Sequence, residues 1–128
     1  MIKITRKNKF EAAHYLPLTP EGHKCRNMHG HSYKVIVEII GDTNGKGWIV
    51  DTAQIDNAFK CIHAMLDHKV LNDVEGLENP TTEILAVWLW KKFNVTFGDL
   101  RNVYRIGVVV EEGENSTASY NGDNSSYT

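Results

Sequence analysis

Cys25, His29 and His31 fall within the run Cys-Arg-Asn-Met-His-Gly-His. Two imidazoles one residue apart point the same way if the segment is extended, because side chains alternate faces with period two. Upstream, His14 closes the run Phe-Glu-Ala-Ala-His from Phe10, and from a neighbouring strand it would add a third nitrogen. Three histidines are the ligand set of an open catalytic zinc site; iron or nickel suits the same imidazoles. Cys25 decides what the site is for. If its sulfur joins the histidines, the metal is four-coordinate, closed and structural; if it stays free beside the metal, it serves as a nucleophile or base. It lies between Lys24 and Arg26, cations that favour a thiolate. Both readings remain open at this level.

Other groups have both a chemical and a plain reading. Asp67-His68 is a carboxylate-supported imidazole able to exchange protons, or a helix terminus where the dipole favours histidine. Glu112 ends an apolar run, either as a solvated strand end or as a carboxylate at a pocket rim, where it would accept two hydrogen bonds from a guanidine-like edge. Glu111 points the other way. Thr81-Thr82-Glu83 reads as helix capping. His63 reads as surface, His23 lies in the Cys25 loop with no evident partner, and Cys61 reads as a packing residue of a helix.

The elements that must hold these groups follow from apolar periodicity. Ile2, Ile4, Phe10, Ala12 and His14 share a parity, predicting a strand whose even positions face inward. Residues 16–28, with Pro17, Pro20 and Gly22, read as a loop. A second strand runs from His31 to Ile40, with Tyr33, Val35, Val37 and Ile39 inward and His29 in the same parity. After the turn at Gly41–Gly47, Ile55, Ala58, Phe59, Ile62, Met65 and Leu66 predict a helix over 53–66 capped by Asp51 or Thr52. A second helix is expected with Asn79 as its N-cap and Pro80 at its first position, an apolar face of Ile84, Leu85, Trp88, Leu89 and Phe93, and an end at Gly98. Tyr104–Glu112 forms a third strand, and Thr117–Tyr120 a fourth across a Gly113-Glu-Asn turn. This order predicts an α+β fold: one four-stranded antiparallel sheet with two helices on one face. One sheet face would lack cover, which predicts a homo-oligomer. The expected domain spans residues 1–122, with a frayed polar tail over 123–128.

The 41% hydrophobic and 23% charged composition is that of an ordinary globular domain, and a net charge of −2 excludes a general nucleic-acid backbone binder. Two cysteines do not make a disulfide framework. No stretch approaches the ~18 apolar residues of a membrane span, and the N-terminal residues lack the apolar core of a signal peptide. A cytoplasmic protein with no membrane partner is expected.

The stretches FEAAHYL, EGHKC, CxxxHGHSY, LDHKVLN, ENPTTE and VVVEE occur in this order from Phe10 almost to Gly122. Together they resemble the tetrahydropterin synthase family, and within it the bacterial type that forms 6-carboxytetrahydropterin for queuosine and other 7-deazapurines. The resemblance implies a T-fold, in which the sheets of several subunits join into a barrel, usually a hexamer built as a dimer of trimers. It implies Zn2+ on His14, His29 and His31, catalysis by Cys25 with the pair Asp67 and His68, and a pterin anchored by Glu112, with Thr81, Thr82 and Glu83 nearby. It places the site at a subunit interface. The implied reaction is a lyase step converting 7,8-dihydroneopterin triphosphate to 6-carboxy-5,6,7,8-tetrahydropterin with release of acetaldehyde and triphosphate. The three-residue gap between Cys25 and His29 favours this type over 6-pyruvoyltetrahydropterin synthases, whose loop is longer. A catalytically silent pterin-binding module whose zinc is closed by Cys25 is the reading from another class.

Overall fold

Ile2–His14 and His29–Gly41 form two long strands, β1 and β2, whose alternating apolar residues dictate which face each presents to the interior. The computed structural model describes residues 1–122; the expected polar tail, 123–128, lies outside them. Helix α1 covers Thr52–Leu66, helix α2 Thr82–Phe97, strand β3 Val103–Glu112 and strand β4 Ser116–Tyr120. The strands form one antiparallel sheet in the order β1-β2-β3-β4. Two short 3-10 turns, Lys24–Arg26 and Leu71–Asp73, complete the order.

Register places the chemistry. His14 lies opposite His29 and Ala12 opposite His31 on the β1–β2 ladder, while Tyr33 faces Phe10 on one side and Glu112 on the other. Directly opposed residues of an antiparallel pair project from the same face, so all three histidines and Glu112 converge at one end of the inner face. Below them that face carries Phe10, Tyr33, Val35, Val37, Ile39, Ile106, Val108 and Val110, all buried.

The helices cover this face. Asp51 caps α1 by accepting the Ala53 N–H at 2.9 Å, and Ile55, Phe59, Ile62 and Leu66 are its buried stripe. A paired contact from the Arg6 guanidinium to Asp56, with both nitrogens at 2.7 Å, ties β1 to α1. Helix α2 buries Leu85, Ala86, Trp88, Leu89, Phe93 and Phe97. Burying side chains of this size contributes about 1.5–3 kcal/mol each. Met65 and Ile84, expected on the apolar faces, sit at their margins at 41% exposure each, and Cys61, expected to pack, is exposed.

The start of α2 differs from the expectation. Thr81, not Asn79, is the N-cap, its hydroxyl accepting the Ile84 N–H at 3.1 Å, and Pro80 precedes the helix. Had Pro80 been the first helical residue, its carbonyl would accept an N–H of the helix ladder. It is bonded instead to His14. Among the described residues no helix covers the opposite sheet face; Ile36, Ile40 and Val109 are half-buried there among the exposed Lys3, Lys7 and Lys9.

Candidate active site

The ligand atoms of His14, His29 and His31 lie within 4.8 Å of one another. His14 is 1% exposed, and its Nδ1 lies 2.9 Å from the Pro80 carbonyl, which only an Nδ1–H can satisfy. That tautomer leaves Nε2 with a lone pair, 3.0 Å from His29 Nε2. His29 is oriented in the same way, its Nδ1 donating to the Asn27 carbonyl at 2.7 Å. Two Zn–N bonds of about 2.0–2.1 Å at a tetrahedral angle would separate their nitrogens by about 3.4 Å, close to this spacing. His31 Nε2 is buried with no hydrogen-bond partner among the described residues, a place a metal would fill. Burial holds His14 below the ordinary histidine pKa, opposed by its bond to Pro80, and so keeps it in the neutral form a ligand needs. Two imidazoles oriented by main-chain carbonyls, His14 and His29, together with the partnerless Nε2 of His31 thus fit a zinc-type cation.

A cavity of about 600 Å³ opens on this cluster and is lined by His14, His29, His31, Cys25, Lys24 and Glu112 together with the 113–116 turn. Glu112 is held by its inner-face neighbours: Thr82 Oγ1 donates to Oε2 at 2.7 Å, and Oε1 lies 3.4 Å from His31 Nε2. Tyr33 is 1% exposed beneath the cluster, its hydroxyl 3.3 Å from His14 Nδ1, and burial pushes its pKa up so that it stays protonated.

Asp67 and His68 are not in that cavity. They stand at the far end of α1, where His68 lines a neighbouring depression of about 480 Å³ with Glu11, Ala13, Ser32 and Lys69, and His31 lines both it and the Cys25 cavity. The pair is tightly built. Asp67 Oδ1 accepts the Glu11 N–H at 2.9 Å and Oδ2 accepts His68 Nδ1–H at 2.7 Å. The Glu11 N–H, and after it His68, hold the Asp67 carboxyl below the usual carboxylate range. His68 itself has φ +58, a left-handed backbone uncommon outside glycine, and its N–H is bonded to the Glu11 carbonyl at 2.6 Å. Its side chain is 78% exposed, so the second ring nitrogen faces outward. His63, on the surface as expected, is 3.7 Å from the same Asp67 oxygen.

The sequence reading therefore finds His14, His29, His31, Cys25, Glu112 and Thr82 in one place. Thr81 is an N-cap and Glu83 is exposed in the first turn of α2. It missed the Pro80 and Asn27 carbonyls, because no pattern of side chains announces a main-chain acceptor. It also missed a partner for His23, whose Nδ1 accepts the Cys25 N–H at 3.0 Å. Capping rules look for Ser, Thr, Asp or Asn and pass over histidine.

A family model described as 6-pyruvoyl tetrahydropterin synthase matches residues 3–123. The chain is 42% identical over 98 residues to a Synechocystis protein named 6-carboxy-5,6,7,8-tetrahydropterin synthase, which spans 70% of this chain and 72% of that one. To the human protein named 6-pyruvoyl tetrahydrobiopterin synthase it is 31% identical, over 94% of this chain and 92% of that one. Among solved structures, 6-pyruvoyl tetrahydropterin synthase of Caenorhabditis elegans superposes with a TM-score of 0.83 at 25% identity, over 95% of this chain and 96% of that one.

Proposed function

The chain belongs to the 6-pyruvoyl tetrahydropterin synthase family, and on that premise we propose that it is a zinc-dependent carbon–carbon lyase. Its substrate is 7,8-dihydroneopterin triphosphate and its products are 6-carboxy-5,6,7,8-tetrahydropterin, acetaldehyde and triphosphate, a step toward queuosine and other 7-deazapurines. The observation that carries this reading is the convergence of three histidines, a free thiol and an anchored carboxylate on one cavity.

His14, His29 and His31 would hold the zinc, which when bound supplies Lewis acidity to the hydroxyls of the substrate side chain. Cys25, half-buried at the cavity wall, is the base that removes a proton from that side chain. Glu112 accepts the planar N–H edge of the pterin, its carboxylate already aimed by the Thr82 hydroxyl. Lys24 lines the cavity and is placed to meet the triphosphate; Arg26 is less free, since its guanidinium donates to the Thr19 carbonyl at 3.0 Å. Lys69 belongs to the depression beside His68.

His68, oriented by Asp67, is the second proton carrier. Within one protomer it lines a depression that shares His31, but not Cys25, with the cavity above, and in our reading the complete site draws this pair from a second subunit. A T-fold barrel, assembled as a hexamer of two trimers, brings such halves together and covers the sheet face that carries Ile36, Ile40 and Val109. No helix among the described residues is long and apolar enough to cross a membrane, consistent with work in the cytoplasm.

The test is incubation of the zinc-loaded protein with 7,8-dihydroneopterin triphosphate and identification of the pterin product by mass. The carboxy product together with acetaldehyde supports the proposal; no turnover with zinc bound overturns it. The match to the human pyruvoyl enzyme over nearly the whole chain favours a second reading, 6-pyruvoyltetrahydropterin synthesis. The same mass measurement separates the two, because the pyruvoyl product keeps the two-carbon fragment.

A further inference from the structure

Cys25 lies in the segment between β1 and β2 that begins after His14, with no strand and only one 3-10 turn, Lys24–Arg26, to hold it. A base in such a segment has to be placed by individual hydrogen bonds, and each one at Cys25 can be named. The Cys25 carbonyl accepts the Leu16 N–H at 2.7 Å, and the Arg26 N–H reaches the His23 carbonyl at 3.0 Å. The Cys25 N–H is the second amide of the 3-10 turn, and it donates to His23 Nδ1 at 3.0 Å. The Cys25 α-carbon is thereby pinned from both sides along the main chain, and the thiol keeps a single torsion, χ1, with which to reach the cavity.

His23 is exposed, contacts none of the three metal-site histidines by hydrogen bond, and does not line the cavity. We propose that His23 is a positioning residue for Cys25: its Nδ1 lone pair, as the N-cap of the Lys24–Arg26 turn, fixes the main chain from which the thiol acts. The residue type fits the task. Asparagine or aspartate would cap this turn as well, but aspartate would set a negative charge two residues from the thiol and disfavour the thiolate. A neutral imidazole supplies the acceptor without the charge. This assignment rests on the reading of Cys25 as the base, and misplacement of a reacting group by about 1 Å is enough to slow a reaction a hundredfold.

The experiment compares His23→Ala, which removes the acceptor, with His23→Asn, which restores one, in the full zinc-loaded chain. His23→Ala is expected to lose about tenfold in kcat, with KM and zinc content within about twofold of the parent, and His23→Asn to recover to within about threefold. A parental kcat in His23→Ala, or a His23→Asn no better than the alanine variant, overturns the proposal. Amide hydrogen exchange at Cys25 is read alongside. If the parent protein shows no pterin turnover, the proposed function fails by itself, and exchange still decides the positioning claim. Protection lost in His23→Ala and regained in His23→Asn upholds it, and unchanged protection overturns it.

Discussion

Thr81 and Thr82 are neighbours with the same side chain and, in this structure, different duties, which makes them a sharp test. The Thr81 hydroxyl accepts the Ile84 N–H at 3.1 Å and caps α2; the Thr82 hydroxyl donates to Glu112 Oε2 at 2.7 Å. Thr82→Val keeps the shape and removes the donor. A hydrogen bond to a charged group contributes about 1.5–3 kcal/mol. The lower end applies here, because the Glu112 side chain is 17% exposed and water can replace part of the lost bond. About 1.5 kcal/mol corresponds to roughly a tenfold fall in kcat/KM. Because Glu112 is assigned to hold the pterin, the loss is expected in KM, with kcat and zinc content little changed. Thr81→Val should do the reverse, removing a cap worth about 1 kcal/mol of stability while leaving KM alone. Steady-state kinetics with thermal unfolding of both variants is the assay. If Thr82→Val lowers the melting temperature as Thr81→Val does and leaves KM unchanged, Thr82 serves only the helix, and the assignment of Glu112 as a prepared anchor fails.

Two further outcomes follow from the same geometry. Asp67→Asn removes a carboxylate whose folded pKa is depressed by the Glu11 N–H and by His68. A depressed pKa stabilises above the unfolded value of about 3.9 and is lost as pH falls through the folded value. The melting-temperature advantage of the parent over this variant, present at about pH 5, should therefore shrink as the pH falls below about 4 and on through the depressed folded pKa; an advantage that grows in acid contradicts this linkage. Phe93→Ala empties a fully buried site whose ring stands 5.0 Å from that of Phe59. It should cost about 3–5 kcal/mol and lower the melting temperature by about 10–20 °C, and a loss of only a few degrees would mean that α2 is not fixed to the core as described.

What could be read in advance has a physical pattern. Parity along Ile2–His14 and His29–Gly41 gives the strand faces directly, because period two leaves no freedom once one face is apolar, and the three histidines follow from it. Glu112 is legible for the same reason, as the continuation of Ile106, Val108 and Val110. The start of α2 is not legible from sequence because Asn79 and Pro80 carry strong capping signals of their own, whereas in the fold the Pro80 carbonyl meets His14 and Thr81 caps the helix. His68 is legible as chemistry but not as strain, since its left-handed backbone goes with an N–H bond to the Glu11 carbonyl on distant β1. The separation of His68 from Cys25 is a matter of which depression each lines, and spacing along the chain does not carry that information.

On the reading proposed above, Cys25 stands free beside a metal held by three histidines. Zinc content and turnover of Cys25→Ala test it most directly. The expected result is one zinc per protomer in both the variant and the parent, with pterin turnover abolished in the variant; a variant that loses its zinc or its fold along with activity would make Cys25 a fourth ligand and the site a closed structural one.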